Sequence, residues 1–305
     1  MDQIQKRIIE EVADLHEVPE GAFNFRIDGQ SDGRRSTANI QIESKKDKSG
    51  IDIYIKPGTK NESVHIPVVL SISGIKETVY NDFYVGEGAD VVIVAGCGIS
   101  NCGNQDSQHD GIHTFHIEKN ARVKYVEKHY GEGDGNGKRI LNPQTVVDMA
   151  EDTYLEMEMV QIKGVDSTIR TTNANLGKGA QLIVHERLMT HGNQTAVSEY
   201  DVNLNGEGAS ANLVSRSVGR DTSKQTFISR LFGNAQANGH SECDSIIMDD
   251  ARINSIPEVA ANHPEAMLIH EAAIGKIAGE QLIKLMTMGL SEKEAEDMII
   301  RGFLR

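Results

Sequence analysis

The stretch Leu176-Gly-Lys-Gly-Ala180, followed by Gln181-Leu-Ile-Val-His185, returns 29 residues later as Asn205-Gly-Glu-Gly-Ala209 followed by Ser210-Ala-Asn-Leu-Val214. Each copy consists of a turn rich in Gly, Asn or Asp, then a small residue, then an alternating strand. The small residues of six copies are 32, 32, 27, 29 and 42 positions apart; they are Ala89, Ala121, Thr153, Ala180, Ala209 and Ala251. One unit repeated at a nearly constant period is typical of a solenoid.

The repeat predicts a mainly β protein, a parallel β-helix of at least six coils from about residue 65 to 275. Each unit has room for two or three short strands and contains no helical period, which argues against alternating strands and helices. A glycine-rich β-sandwich is the rival fold. It gives no reason for a small residue to return before every strand, whereas a stacked ladder does.

Composition narrows the class of protein. The chain has 305 residues, a formal net charge of −14 and no Trp. The acidic balance argues against nucleic-acid binding, because no basic stripe is present to neutralise phosphates. No apolar run approaches the length of a membrane span, and the sequence from Met1 has no secretory signal, so we expect a cytoplasmic protein that does not bind membranes. Three cysteines in a reducing compartment are expected to be free thiols or metal ligands.

The two ends differ from the middle, so we divide the chain at residues 1–64, 65–275 and 276–305. Residues 2–16 have apolar positions at helical spacing, and residues 36–56 alternate around a polar turn, which predicts a helix and then a hairpin. After Gly275 the pattern is helical, with a stop at Gly289 and a capping box at 291–294. This helical pair would either cap the solenoid or bind a partner.

The strongest candidate for chemistry is Cys243, which is followed 27 residues later by the pair His270-Glu271. That spacing is close to one coil, so we expect a thiolate, an imidazole and a carboxylate side by side on neighbouring coils, with His240 as a further candidate ligand. The alternative is that Cys243 is an ordinary small buried residue. One chain offers too few ligands for a closed zinc site or a cubane cluster, whereas two chains related by a two-fold would offer two of each.

A second group of soft or borderline ligands lies within twenty residues of the sequence. It includes Cys97 and Cys102, followed by His109, His113 and His116. The group predicts a metal or sulfur relay. The alternative is that these side chains do not meet, because His113 and His116 point to opposite faces of an extended strand.

The C-terminal motif resembles that of the SufB/SufD family of iron–sulfur cluster assembly scaffolds over roughly residues 80 to 305. The resemblance rests on Cys243-Asp-Ser245, His270-Glu-Ala-Ala-Ile-Gly-Lys-Ile277, Gln281-Leu282 and Gly289-Leu-Ser-Glu-Lys-Glu-Ala295. It implies a right-handed parallel β-helix, pairing of two such subunits, and an ABC-type ATPase (SufC) docked on the C-terminal helices. It also implies that Cys243 is the essential cysteine and that Glu271 and His270 are the SufB-like glutamate and its neighbour.

The chain is similar to compact SufB-like members of minimal two-component systems, because it lacks the long N-terminal region of full-length SufB. We therefore expect a non-enzymatic scaffold that works as a homodimer with two ATPase subunits and holds an iron–sulfur cluster transiently, with [4Fe–4S] favoured. The expected ATPase-binding residues are Leu282, Leu285, Met286, Met288, Met298 and Phe303. The alternatives are an inert solenoid or a β-helix enzyme, such as a carbohydrate lyase or a metal-dependent hydrolase; the lack of Trp disfavours sugar stacking.

Overall fold

The computed structural model describes residues 1–305 and is 57% strand, arranged as a β-solenoid of about 8 turns with three short helices at its ends. The predicted mainly β, parallel β-helix fold is thus confirmed. In chain order the elements are α1 (Gln3–Ala13), β1 (Ala22–Ile27), β2 (Gln30–Arg35), β3 (Ile40–Ser44), β4 (Gly50–Ile55), β5 (Lys60–His65), β6 (Val68–Leu70), β7 (Lys76–Val85), β8 (Asp90–Ser100), β9 (Ser107–Ile117), β10 (Arg122–Glu132), β11 (Arg139–Leu141), β12 (Gln144–Met149), β13 (Tyr154–Lys163), β14 (Ser167–Leu176), β15 (Gln181–Thr190), β16 (Thr195–Leu204), β17 (Ser210–Gly219), β18 (Lys224–Gly233), β19 (Asn238–Ile247), β20 (Arg252–Ala261), β21 (Met267–Gly275), α2 (Gly279–Thr287) and α3 (Glu292–Phe303).

Two sheets form the walls of the solenoid. One sheet runs β2-β1-β5-β8-β10-β13-β15-β17-β19-β21 with β6 beside it, and the other runs β20-β18-β16-β14-β11-β9-β7-β4-β3 with β12 beside it. From β13 onward each coil contributes one strand of nine or ten residues to each sheet, so the strands are longer than the short ones predicted. Apolar side chains alternate inward along both sheets and form one cluster of 39 buried residues.

The predicted ladder of small residues is present at one corner of the solenoid. Its members are at most 1% exposed; they are Ala89, Ala121, Thr153, Ala180 and Ala209. The last predicted copy is wrong, because Ala251 precedes β20 in the opposite sheet. The true successor of Ala209 is Ala237, since Ser210 is paired with Asn238 across the ladder. The spacing of 42 residues therefore spans one and a half coils rather than one long coil.

The N-terminal predictions are confirmed in their elements. Helix α1 lies on the outer face of β8, where Gly96 and Gly98 allow the close approach; a Cβ on Gly96 would lie 2.2 Å from the Val12 carbonyl oxygen. Strands β3 and β4 form the predicted antiparallel hairpin. However, β4 and β5 already pair in parallel with β7 and β8, so the parallel ladders begin near residue 50, ahead of the boundary placed at 65.

The C-terminal helices lie against the side of the solenoid and leave its last coil open. Helix α3 begins with the predicted capping box of Ser291 and Glu294, and Ile300 packs against Val218 at the side. The inner face of β20 and β21 is not covered by either helix. Val259, an inward position of β20, is 47% exposed. Two edge strands and the mouth of the interior therefore face solvent at this end. None of the helices is of a length and apolarity that would let it span a membrane.

Candidate metal and cluster site at the last coil

Cys243 lies inside the solenoid, one strand away from its open edge. The thiol is on the inner face of β19 and only 1% exposed. Across the ladder Cys243 is paired with Ser215 of β17 on one side and with Ala272 of the edge strand β21 on the other. Because Ala272 has a small side chain and belongs to the last coil, little besides β21 separates the thiol from the open end.

The structure divides the predicted trio between the two faces of the sheet. Ser241 is paired with His270 and Glu242 is paired with Glu271, so His270 shares the inner face with Cys243 whereas Glu271 lies on the outer face. The prediction that the residues lie on neighbouring coils is confirmed. The prediction that all three side chains stand side by side is wrong for Glu271, because successive residues of a strand point to opposite faces.

The interior environment keeps both inner-face groups neutral. Burial raises the pKa of the Cys243 thiol; the Ser245 and Ser255 hydroxyls oppose this shift, and the charge of Glu186 adds to it. Burial also lowers the pKa of His270, so its imidazole is neutral near pH 7. A soft metal ion would have to displace the thiol proton, and it would find an imidazole that is already deprotonated.

Two buried polar atoms on this inner wall have no hydrogen-bond partner. They are His270 Nδ1 and Ser255 Oγ. An unsatisfied buried polar group costs about 1–3 kcal/mol, so such groups in native proteins call for a specific explanation. A bound group at the mouth of the solenoid would satisfy both atoms. The residues present therefore fit a metal-containing species with a thiolate and an imidazole as ligands.

A second cluster lies on the outer face of the same two strands. Ligand atoms of His240, Glu242 and Glu271 all lie within 4.8 Å of one another. His240 Nε2 is 3.7 Å from a Glu271 oxygen, and His240 Nδ1 is 2.9 Å from Asn212 Oδ1. The sequence marks Glu242 only as a polar neighbour of Cys243. Its place as a ligand follows from the ladder, which sets it opposite Glu271.

Sequence reasoning missed a polar network inside the solenoid. Arg170 is 4% exposed; it donates a 2.9 Å hydrogen bond to Glu127 and its Nε is 3.9 Å from Glu186. Arg170 holds the pKa of the Glu127 carboxyl well below its usual range, against the opposing effect of burial. The Ser215 hydroxyl donates a 2.7 Å hydrogen bond to Glu186, and Ser215 is the ladder partner of Cys243. Buried charge thus extends to the thiol's own neighbour.

The second predicted constellation does not form a site. Cys97 is buried in a small apolar cluster, where burial raises its pKa well above the usual value, and Cys102 is exposed. His113 is buried against Tyr125, whereas His116 is exposed on the opposite face of β9, as alternation predicts. The only group of three or more such side chains within metal-bridging distance is the one formed by His240, Glu242 and Glu271.

The C-terminal helices present part of the predicted apolar patch to solvent. Met286, Met288 and Met298 are 43%, 75% and 51% exposed, and Ile283, which the sequence analysis omitted, is 62% exposed. Leu282 and Leu285 are half-buried. Phe303 packs toward the solenoid beside the buried Ile300, so it does not belong to the exposed patch.

Comparison with known proteins agrees with this architecture. The family profile described as "SUF system FeS cluster assembly, SufBD core domain" matches residues 79–303. An iron–sulfur cluster assembly SufBD family protein of Methanothermobacter thermautotrophicus (strain Delta H) is 28% identical over 268 residues, which are 86% of this chain and 64% of the relative. A Methanocaldococcus jannaschii protein with the same family name is 28% identical over 271 residues, 87% of this chain and 84% of the relative.

The match to a full SufB is confined to a shorter segment. The iron–sulfur cluster assembly protein SufB of Bacillus subtilis (strain 168) is 35% identical over 99 residues, which are 31% of this chain and 21% of that protein. The chain spans 64% of the length of each of two Methanothermobacter relatives. Since the family profile covers well over half of the chain, the protein belongs to the SufB/SufD family of iron–sulfur cluster assembly proteins of the SUF system, as its C-terminal motif predicts.

Proposed function

We propose that this protein is a non-enzymatic scaffold on which an iron–sulfur cluster is built at the interface of a homodimer. The cluster is cargo that is released to other proteins. One observation carries the proposal: a buried thiol, Cys243, lies at the only open coil, on the same inner wall as the unsatisfied atoms His270 Nδ1 and Ser255 Oγ. A thiolate and a neutral imidazole are ligands that suit iron–sulfur species.

The ligand count supports a dimer. One inner wall offers only one thiol and one imidazole, Cys243 and His270, while Glu271 is available from the edge strand if its side chain turns toward the mouth. Two chains joined at their open coils would bring two of each to the two-fold axis. That number is enough for a [4Fe–4S] cluster, and a set with few thiolates would hold it loosely.

The edge strands support the same arrangement. β20 and β21 each end a sheet, and one side of each strand has unpaired backbone groups. Long exposed edges are liabilities that proteins usually cover. Pairing of two open coils would cover the edges and the exposed apolar side chains around the mouth, among them Val259 and Ile274.

A SufC-like ABC ATPase is the partner we assign to helix α2. This helix has no buried residue, and its exposed Ile283 and Met286 lie one turn apart on the same side. An apolar face of this kind marks a partner surface, and Met side chains repack readily against a docking helix. The partner's chemistry comes from the family, and the complex would contain two scaffold and two ATPase subunits.

The test is anaerobic reconstitution with iron and sulfide, followed by visible charge-transfer absorbance. Wild-type protein should acquire a cluster, and Cys243→Ser should not, because a serine hydroxyl is a poor ligand for iron at neutral pH. His270→Ala and Glu271→Ala should weaken assembly. Cys102→Ser is the matched control, since it removes an exposed thiol far from the open coil. Equal cluster content in the Cys243→Ser and Cys102→Ser variants would overturn the proposal.

A further inference from the structure

The outer face of the last coil carries two opposed carboxylates without a cation. Glu242 and Glu271 are direct ladder partners, and neither forms an ion pair with a lysine or an arginine. Like charges directly opposite in a sheet are destabilising. Elsewhere on this sheet the same face neutralises its carboxylates, as where Glu156 pairs with Lys124 at 2.7 Å and Glu158 pairs with Arg187 at 2.9 Å.

The histidine beside these carboxylates is oriented as metal-binding histidines are. His240 Nδ1 lies 2.9 Å from the amide oxygen of Asn212, which can only accept, so Nδ1 carries the proton. The lone pair is then on Nε2, which faces Glu271 at 3.7 Å. A second polar group that fixes the tautomer and the ring orientation is the usual support of a metal-ligating histidine.

We propose that His240, Glu242 and Glu271 form a divalent-cation site on the outer face of the last coil, separate from the inner wall that holds Cys243. One imidazole and two carboxylates are hard or borderline ligands that suit ferrous iron, manganese or cobalt, and three protein ligands leave positions open for exchange. That the natural cargo is ferrous iron rests on the proposed function. The existence of a cation site does not.

The geometry needs only a small closure. Bonds of about 2.1 Å place ligand atoms no more than about 4.2 Å apart, whereas the present atoms lie within 4.8 Å. The Glu271 side chain is 66% exposed and belongs to an edge strand, so it is free to move by that amount. A bound cation would also relieve the repulsion between Glu271 and Glu242.

The position relates the site to the interior thiol. Glu242 immediately precedes Cys243, so the cation and the thiol would lie on opposite faces of one strand, β19. Strand β21 provides Glu271 to the outer site and Ala272 as the ladder partner of Cys243. Displacement of this single edge strand would open both sites at once, which would let a cation held outside reach the interior.

The experiment is titration of the Cys243→Ser protein with Mn²⁺, monitored by the loss of the free-ion electron paramagnetic resonance signal, and with Co²⁺, monitored by absorbance. We expect one cation per chain. Glu242→Gln should weaken binding at least about tenfold, and Asn212→Ala should weaken it about tenfold through the freed imidazole. Glu207→Gln, which removes one exposed carboxylate from a distant turn, should bind as the Cys243→Ser parent does.

The outcomes separate this site from the proposed scaffold function. Equal affinity of the Glu242→Gln and Glu207→Gln proteins, or no stoichiometric binding, would overturn the outer site. So would a thiolate-to-cobalt charge-transfer band in wild-type protein together with loss of binding in Cys243→Ser, since the cation would then be in the interior. Binding that persists in Cys243→Ser, in a protein whose wild type fails cluster reconstitution, would sustain the outer site and reject the scaffold function.

Discussion

A lysine at the mouth of the solenoid should separate the proposed homodimer. Val259 points toward the interior of the last coil yet is 47% exposed, because no further coil covers it. In an isolated chain, the substitution Val259→Lys has room to extend into solvent, so the fold should survive. In a dimer joined at the open coils, the same side chain would be enclosed.

The expected magnitude follows from that exposure. Full burial of a Val, Leu or Ile side chain contributes about 1.5–3 kcal/mol, so covering the exposed half of Val259 contributes about 1 kcal/mol per subunit. The lysine forfeits this contribution and must also lose hydration, which costs at least about 1 kcal/mol more. Both subunits carry the change, so the dimer should lose about 4 kcal/mol, which is about a 1000-fold weaker association.

Sedimentation velocity over a dilution series measures this difference. The control is Ile169→Lys, because Ile169 is 52% exposed on the outer face of β14, away from the open coil. We expect Ile169→Lys to remain dimeric at concentrations where Val259→Lys is a folded monomer. Equal association of the two variants would refute the assignment of the interface to the last coil. A wild-type monomer that still holds a cluster would refute the dimer itself.

Three further predictions address accessibility, acid stability and the partner. Iodoacetamide should label Cys102 rapidly and Cys243 slowly in the native protein, as peptide mass spectrometry would show, because one thiol is exposed and the other is buried with a raised pKa; comparable labelling would contradict the buried position. Burial lowers the pKa of His113 to about 4 from 6.5, so the unfolded chain binds more protons in this range and stability should fall as pH drops from about 6.5 to about 4. The total loss, on the order of 3 kcal/mol, should be missing from the urea unfolding of His113→Phe; an unchanged pH dependence would contradict it. The double substitution Ile283→Glu and Met286→Glu should abolish co-purification with the ATPase without a change in thermal stability, because both side chains are exposed; retained co-purification would remove α2 as the docking site.

The fold could be predicted from the sequence because its determinants are local and repeated. The left-handed conformation needed at one corner is provided by Gly or by Asn and Asp, as at Asn120, Asp152 and Gly179, each directly before the small residue. Helix signals such as the capping box at Ser291 are equally local. These features need no knowledge of distant residues, so a single sequence suffices.

The two corners of the solenoid were harder to distinguish. Before β20 the left-handed residue is Asp249, two positions ahead of Ala251, whereas in the other corner it stands directly ahead of the small residue. That one-position difference separates the sheets, but the sequence motifs look alike. The spacing of 42 was therefore assigned to a single step of the ladder, although it contains a half coil.

The faces of the candidate site depend on register, which spacing alone does not determine. Coil lengths vary, and the last step of the ladder is 29 residues, from Cys243 to Ala272. His270 therefore lies two positions before the ladder partner, on the same face, and Glu271 lies one position before it, on the opposite face. A change of one residue in coil length would exchange the two roles. The buried pair of Glu127 and Arg170, 43 residues apart, depends on the same register.

The last coil also connects the partner surface to the thiol mechanically. Strand β21 ends at Gly275 and α2 begins at Gly279, so only residues 276–278 lie between them. Strand β21 is held in its sheet by one neighbour, β19, whereas α3 is anchored to the side of the solenoid through Ile300. A partner that moves α2 would therefore act first on the strand with the fewest backbone bonds. That strand covers Cys243, which is otherwise almost fully buried, so its displacement is the least costly way to expose the thiol.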